Sequence, residues 1–252
     1  MDRIILLAIV AGLAFTAGDA KAQTGGPAAP QPIAAPQAPT AAPAPAPDGA
    51  RLWRGTIAYR VTMGADTAGA DTAVWAVRGG EVTALDRMHV MGTTAVVETR
   101  MSLPSLAPIS STETRMLPAG TIESRIAYGG GRARGTVVTG SREVAVDDAA
   151  PAGTYDLAAL ATILAALPLR TGAVWTLPAY APYVRRVAPY RVEVGAVETL
   201  ETALGPVRAY RVTVRGGVAE MLFWFSEAEP RWEVRGEIPA MRVRIEPRSR
   251  TP

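Results

Sequence analysis

Trp53-Arg54-Gly55-Thr56-Ile57-Ala58-Tyr59-Arg60-Val61-Thr62-Met63 decides how the rest of the chain is read. Trp53, Gly55, Ile57, Tyr59, Val61 and Met63 alternate with Arg54, Thr56, Ala58, Arg60 and Thr62. A period of two puts one apolar and one polar face on a single strand. The pattern returns at Tyr190, Val192 and Val194 against Arg191 and Glu193, at Tyr210, Val212 and Val214 against Arg211, Thr213 and Arg215, and at Met241, Val243 and Ile245 against Arg242, Arg244 and Glu246. Gly-rich breaks at Arg78-Gly79-Gly80, Gly129-Gly130-Gly131 and Arg215-Gly216-Gly217 separate neighbouring strands at hairpin spacing. About twelve strands of an antiparallel meander follow, wet on one side and apolar on the other.

One segment leaves this period. Asp156 is placed to cap a helix over Leu157 to Leu167, a run without Gly or Pro that Pro168 stops. Leu157, Leu160, Ile163, Leu164 and Leu167 share one face, and alanines cover much of the rest. The helix is about 16 Å long, too short to span a bilayer. Its apolar stripe needs a partner, and the apolar face of the sheet is the only large one. Long antiparallel sheets coil under their right-handed twist. The expected fold is therefore mainly β, a long curved antiparallel sheet, or half-barrel, wrapped around one short helix in a single domain over residues 51–248. The helix either plugs the concave face or covers it as a lid.

Upstream, Arg3 precedes the apolar run Ile4 to Phe15, and Ala20-Lys21-Ala22 forms a small-x-small site, so residues 1–22 read as a secretory signal cleaved near Ala22. The mature protein is then expected in the periplasm or secreted. Residues 23–50 are rich in Pro and Ala and predict a disordered linker, extended and partly polyproline-like. With no cysteine in the chain, neither a disulfide nor lipidation of an N-terminal thiol is available, and the fold must be held by its core. The net charge of +3 is carried by arginines spread along the strands among Glu, Thr and Val. A nucleic-acid footprint needs clustering, so no nucleic-acid partner is expected.

Residues with catalytic or metal-binding chemistry are sparse. His89 is the sole histidine, and its same-face neighbours Leu85, Arg87 and Met91 offer it no partner for general-base work. With no Cys and one His, a zinc site would lean on carboxylates that do not cluster. Asp147-Asp148, before Ala149-Ala150-Pro151, reads as a turn and lacks the ligand spacing of a calcium loop. No nucleophile elbow, phosphate loop or dinucleotide fingerprint occurs. The expectation is a non-enzyme with no catalytic residue, metal or cofactor. A hydrolase built on His89 is the weakest reading.

Two apolar features stand out. Met221-Leu222-Phe223-Trp224-Phe225 is apolar on both strand faces, so both should be covered, and Trp75 and Trp175 add bulk near the helix. Trp75, Leu160, Ile163, Leu164, Trp175, Phe223, Trp224 and Phe225 are the candidates to line an apolar cavity. They equally suit a thick hydrophobic core.

The order of helix, Leu167-Pro168-Leu169-Arg170-Thr171-Gly172, the strand with Trp175, then Val192 to Leu200, Leu204 to Val212 and Phe223-Trp224-Phe225-Ser226-Glu227 resembles the DUF3108 family of exported bacterial proteins over about Tyr155 to Ile245. That family is similar in turn to the LolA/LolB-like lipoprotein-carrier superfamily. The resemblance implies a curved antiparallel half-barrel with an apolar cavity for acyl chains. No dedicated carrier motif transfers residue by residue, and one helix is less lid than the carriers have. Two functions follow as expectations: an exported envelope protein binding a lipid, a lipoprotein acyl chain or another apolar ligand on the concave face, or a structural module with a closed core that meets an envelope protein.

Overall fold

Gly79-Gly80 and Gly130-Gly131 each hold two consecutive positive φ angles, +60° and +81° in the first pair and +58° and +71° in the second. That is the backbone of a type I′ turn, which side chains would strain. In the computed structural model, which describes residues 41–217 and 219–252, these turns close two of the expected hairpins. The first joins β3 (Asp66–Arg78) to β4 (Glu81–Val90), and the second joins β7 (Gly120–Gly129) to β8 (Arg132–Thr139). With β2 (Gly55–Met63), β5 (Thr93–Ser102), β6 (Pro108–Leu117) and β9 (Arg142–Ala149) they form one antiparallel meander.

A second meander runs through β11 (Val174–Ala181), β12 (Arg186–Thr202), β13 (Gly205–Arg215), β14 (Met221–Ser226), β15 (Glu233–Ile238) and β16 (Val243–Thr251). β16 pairs antiparallel with β2, setting Ile245 opposite Val61, so the two meanders become one continuous sheet. Two short strands, β1 (Ala42–Pro43) and β10 (Tyr155–Asp156), pair parallel with β11 at Trp175–Thr176 and Ala179–Tyr180. The fold is mainly β, a single long curved sheet with one short helix. The described residues hold sixteen strands where the alternation predicts about twelve. The surplus lies partly in β6 to β9, whose inward positions include Ser111, Glu113, Arg115 and Ser124, so the apolar half of the pattern is missing there.

The signal segment 1–22 and linker residues 23–40 lie outside the described residues. The rest of the expected linker is part of the fold. Ala44 N donates to Thr176 O at 2.9 Å, Asp48 N donates to Ala166 O at 3.0 Å, and Pro47 and Gly49 are buried. Small Ala and Pro side chains can lie along a sheet edge, where a proline's missing N–H costs nothing. Asp48 then caps a 3-10 turn over Gly49–Arg51, its Oδ1 accepting from Ala50 N at 2.9 Å.

The helical segment starts where the sequence predicts but is not uniform. Asp156 Oδ1 accepts from Ala158 N at 2.7 Å and caps a 3-10 turn over Leu157–Ala159; α1 (Leu160–Ala166) follows, and Leu167 is extended. Every residue from Leu157 to Leu167 is buried except Ala161, which is half-buried. A helix buried on all sides is interior to the sheet, whereas a lid would show one face to water. The helix is a plug.

Candidate functional site

The interior has two parts of opposite chemistry. Around the helix it is mainly apolar, with Asp71 and Glu233 as buried exceptions: Ile57, Tyr59, Val61, Val192, Val212, Val214, Phe223 and Phe225 belong to one buried cluster with Leu160, Ile163 and Leu164. Trp75 Nε1 donates to Thr162 Oγ1 at 3.0 Å, a polar pin between the middle of the helix and the sheet. A space between helix and sheet, bounded by Trp75, Thr162, Ala165, Phe225 and Trp232 among others, is about 10 Å³. That holds at most one water, against several hundred Å³ for a ligand pocket.

All eight residues proposed to line a cavity belong to this buried cluster, and seven of them, Trp75, Leu160, Ile163, Leu164, Trp175, Phe223 and Phe225, lie on or facing the helix side. Trp224 does not face inward. Strand register sets it between Arg211 on β13 and Arg235 on β15, and both guanidiniums lie over its ring, at 5.9 and 5.6 Å. Its Nε1 donates to Glu198 Oε2 at 2.9 Å. Both faces of β14 are covered, as the sequence predicts. The outer cover consists of arginine stems and planes, which lie on aromatic faces while their charge stays wet.

At one end of the barrel the chain entry and the helix exit are tied together by Arg231. Its Nη1 donates to Leu167 O at 3.0 Å, its Nη2 pairs with Glu229 at 2.9 Å, and its backbone brackets Leu52 through Arg51 O and Trp53 N. Beside this knot is an open hollow of about 580 Å³ lined by Ala50, Leu52, Trp53, Arg54, Glu229 and Pro230.

The other part of the interior is polar. On β6 the inward positions are Ser111, Glu113 and Arg115, and on β7 the partner of Glu113 is Ser124; all four are buried. Arg115 Nε donates to Glu113 Oε1 at 2.8 Å, and both side chains are shut off from solvent. Tyr183, from the turn between β11 and β12, lies with its ring 5.3 Å from the Arg115 guanidinium and its hydroxyl beside Glu113 and Ser124. Burial pushes the Tyr183 phenol up, and the Glu113 carboxylate adds to the effect. Nearby, Tyr128 donates to the second oxygen of Asp156, the helix-capping residue. Burial first, and that carboxylate second, hold the Tyr128 phenol far above its ordinary value, so it stays a donor.

These groups close the sheet. Among the described residues no backbone ladder joins β9, at one end of the strand order, to β11, which lies near the other end with only the two-residue strands β1 and β10 on its outer edge. Asp148 on β9 bridges the gap instead. It accepts from Tyr180 Oη at 2.7 Å and from Arg185 at 2.8 and 3.2 Å in a two-pronged pair. The Arg185 hydrogen bond holds the Asp148 carboxyl below the usual range. Asp147-Asp148 is therefore not a turn but part of β9, kept in register by Arg132 and Arg134, which both bond Asp147. Arginines across the ladder offset the charge that makes an acidic pair resemble a turn.

His89 is exposed on the outer face with Nδ1 3.1 Å from Thr94 Oγ1. No group of three or more His, Asp or Glu able to hold a metal occurs among the described residues.

A helix-filled curved sheet with this strand order is the frame in which the relatives can be judged. The model of the family described as a protein of unknown function, DUF3108, matches residues 57–241. The chain belongs to the DUF3108 family. The match reaches well upstream of Tyr155, where the likeness read in the sequence begins, so the first meander is part of the DUF3108 domain. No curated protein matches the chain. A solved structure of a beta-barrel-like protein of the DUF1849 domain from Brucella abortus is similar at a TM-score of 0.50 and 10% identity, covering 76% of this chain and 94% of its own. An exported protein, so described, with a YmcC-like fold from Bacteroides fragilis (TM-score 0.29, 10% identity, 80% and 97% covered) and a protein described as a lipoprotein from Parabacteroides distasonis (0.32, 10%, 82% and 100%) are more distant. The first supports a barrel-like fold for the DUF3108 domain and nothing about its ligands.

Proposed function

We propose that this DUF3108 protein is an exported, non-catalytic module of the cell envelope that works through its outer surface and its Pro/Ala tether on a protein partner, with its interior permanently filled. The observation that carries this reading is the plug: a helix buried on all sides, with a space of only about 10 Å³ beside its Thr162 and Ala165. The likeness to lipoprotein carriers points the other way, to an acyl chain on the concave face. Seating an acyl chain there would require the helix to leave. Leu157, Leu160, Ile163, Leu164 and Leu167 would each lose about 1.5–3 kcal/mol of burial, a total of about 10 kcal/mol and comparable to the whole stability of a domain. The export signal read at residues 1–22 supplies the location.

A fluorescent acyl probe titrated into the mature protein tests this. The reading expects no saturable binding. Saturable one-to-one binding, displaced by a natural phospholipid or an acylated peptide, would return the function to lipid carriage.

A further inference from the structure

We propose that the sheet opens along the line between β9 and β11, with the turn from Tyr180 to Arg185 as a latch and Asp148 as its catch. Everywhere else along the sheet, neighbouring strands share a backbone ladder, and separating them would break several hydrogen bonds at once. Between β9 and β11 the closure is made by side chains: Tyr180 and Arg185 on Asp148, and the Tyr128 and Tyr180 rings edge to face at 6.1 Å. Tyr183 completes it by covering Arg115, and Val184 beside it is exposed to water.

What lies beneath decides the direction of opening. Lifting the turn uncovers Glu113, Arg115 and Ser124, groups that water solvates well. Opening at β12 to β14 would instead wet Val192, Val212 and Phe223, at a hydrophobic cost. Beyond its hydrogen bonds, the polar end's release is opposed by two small apolar clusters, Ile126, Val137 and Val146 with Tyr180, and Val97 and Ala158 with Tyr183. α1 stays seated in this motion, because Leu160, Ile163, Leu164, Ala165 and Ala166 pack in the other cluster, and only Ala158, in the 3-10 turn before it, shares a cluster with Tyr183. The inference is therefore independent of whether the plug ever moves.

The absence of cysteine from the chain makes a direct test possible. Single thiols are introduced into the full mature chain at Ser124→Cys, beneath the latch, and at Val212→Cys, in the apolar part, and their reaction with a small thiol reagent is timed under native conditions. Ser111→Cys, also inward on β6, repeats the measurement should Ser124→Cys not fold. The thiol beneath the latch should react at least about tenfold faster than the one at 212, through local rather than global opening. Adding Asp148→Asn or Arg185→Gln should raise the first rate about tenfold and leave the second unchanged. Equal rates for the two thiols, or latch variants that leave the rate at 124 unaltered, would overturn the proposal.

Discussion

The helix side and the β6–β9 side of the same interior are held by different physics. Around Ile163 and Phe223 the contacts are non-directional, and the closure is as good as the packing. Around Arg115 and Asp148 the closure rests mainly on hydrogen bonds and ion pairs whose removal strands a partner, with ring contacts of Tyr128, Tyr180 and Tyr183 beside them. A buried ion pair is poor evidence for stability, since two charges have lost their water; breaking it by removing one member costs far more than the pair contributes. Tight packing thus makes the plug permanent, whereas directional pairing makes the seam specific and locally releasable.

Deleting one half of the buried pair should produce the largest effect. Arg115→Ala leaves Glu113 buried beside Tyr183 without its cation, and urea denaturation should show a loss of about 3–5 kcal/mol. Replacing both, Glu113→Leu with Arg115→Met, should recover most of it. A single substitution costing under about 1 kcal/mol would mean the pair is hydrated and the two parts of the interior are not distinct.

The matching change on the apolar side is Ile163→Ala, expected to cost about 2–4 kcal/mol through lost transfer energy and the cavity left behind. No second substitution at a polar site should rescue it. Trp75→Phe tests the polar pin at the helix. It leaves the Thr162 hydroxyl without its indole donor, for about 1–2 kcal/mol. Trp75→Phe with Thr162→Val should cost less than Trp75→Phe alone.

A smaller effect is the seam's own contribution to the pH dependence. Arg185 lowers the folded-state value for Asp148, so this carboxylate adds stability above its unfolded value of about 3.9, and that stability is lost as the pH falls through the folded value. Asp148→Asn should make the acid limb of the stability curve shallower, leaving the part that Glu113, Asp147, Glu193 and Glu227 contribute. An Arg208→Gln change at the exposed Glu227 pair should leave the unfolding midpoint unchanged.

The strands around the helix could be read from the sequence because one face of each is apolar and the other carries Arg, Thr or Glu. The cap at Asp156 and the Gly-Gly turns were equally legible, since each has a local cause. The plug could not be distinguished from a lid, because Ala158, Ala159, Ala165 and Ala166 fit both a solvent-facing and a buried back face. Trp224 was misplaced inward because an apolar run gives no hint that Arg211 and Arg235, about 13 and 11 residues away in sequence, cover it by cross-strand register. The seam was missed for a related reason. Ser111-Thr112-Glu113-Thr114-Arg115 is polar on both faces and carries no core signal, and its partners at 148 and 180–185 lie far off in the chain. A run that keeps strand spacing yet alternates polar with polar was the available clue.

The central claim is that the interior is full. Native mass spectrometry of the mature protein, purified from a bacterial envelope without detergent exchange, tests it most directly. The predicted result is a single species at the mass of the polypeptide alone, and an added mass of a phospholipid or fatty acid that survives gentle ionisation and disappears on unfolding would contradict it.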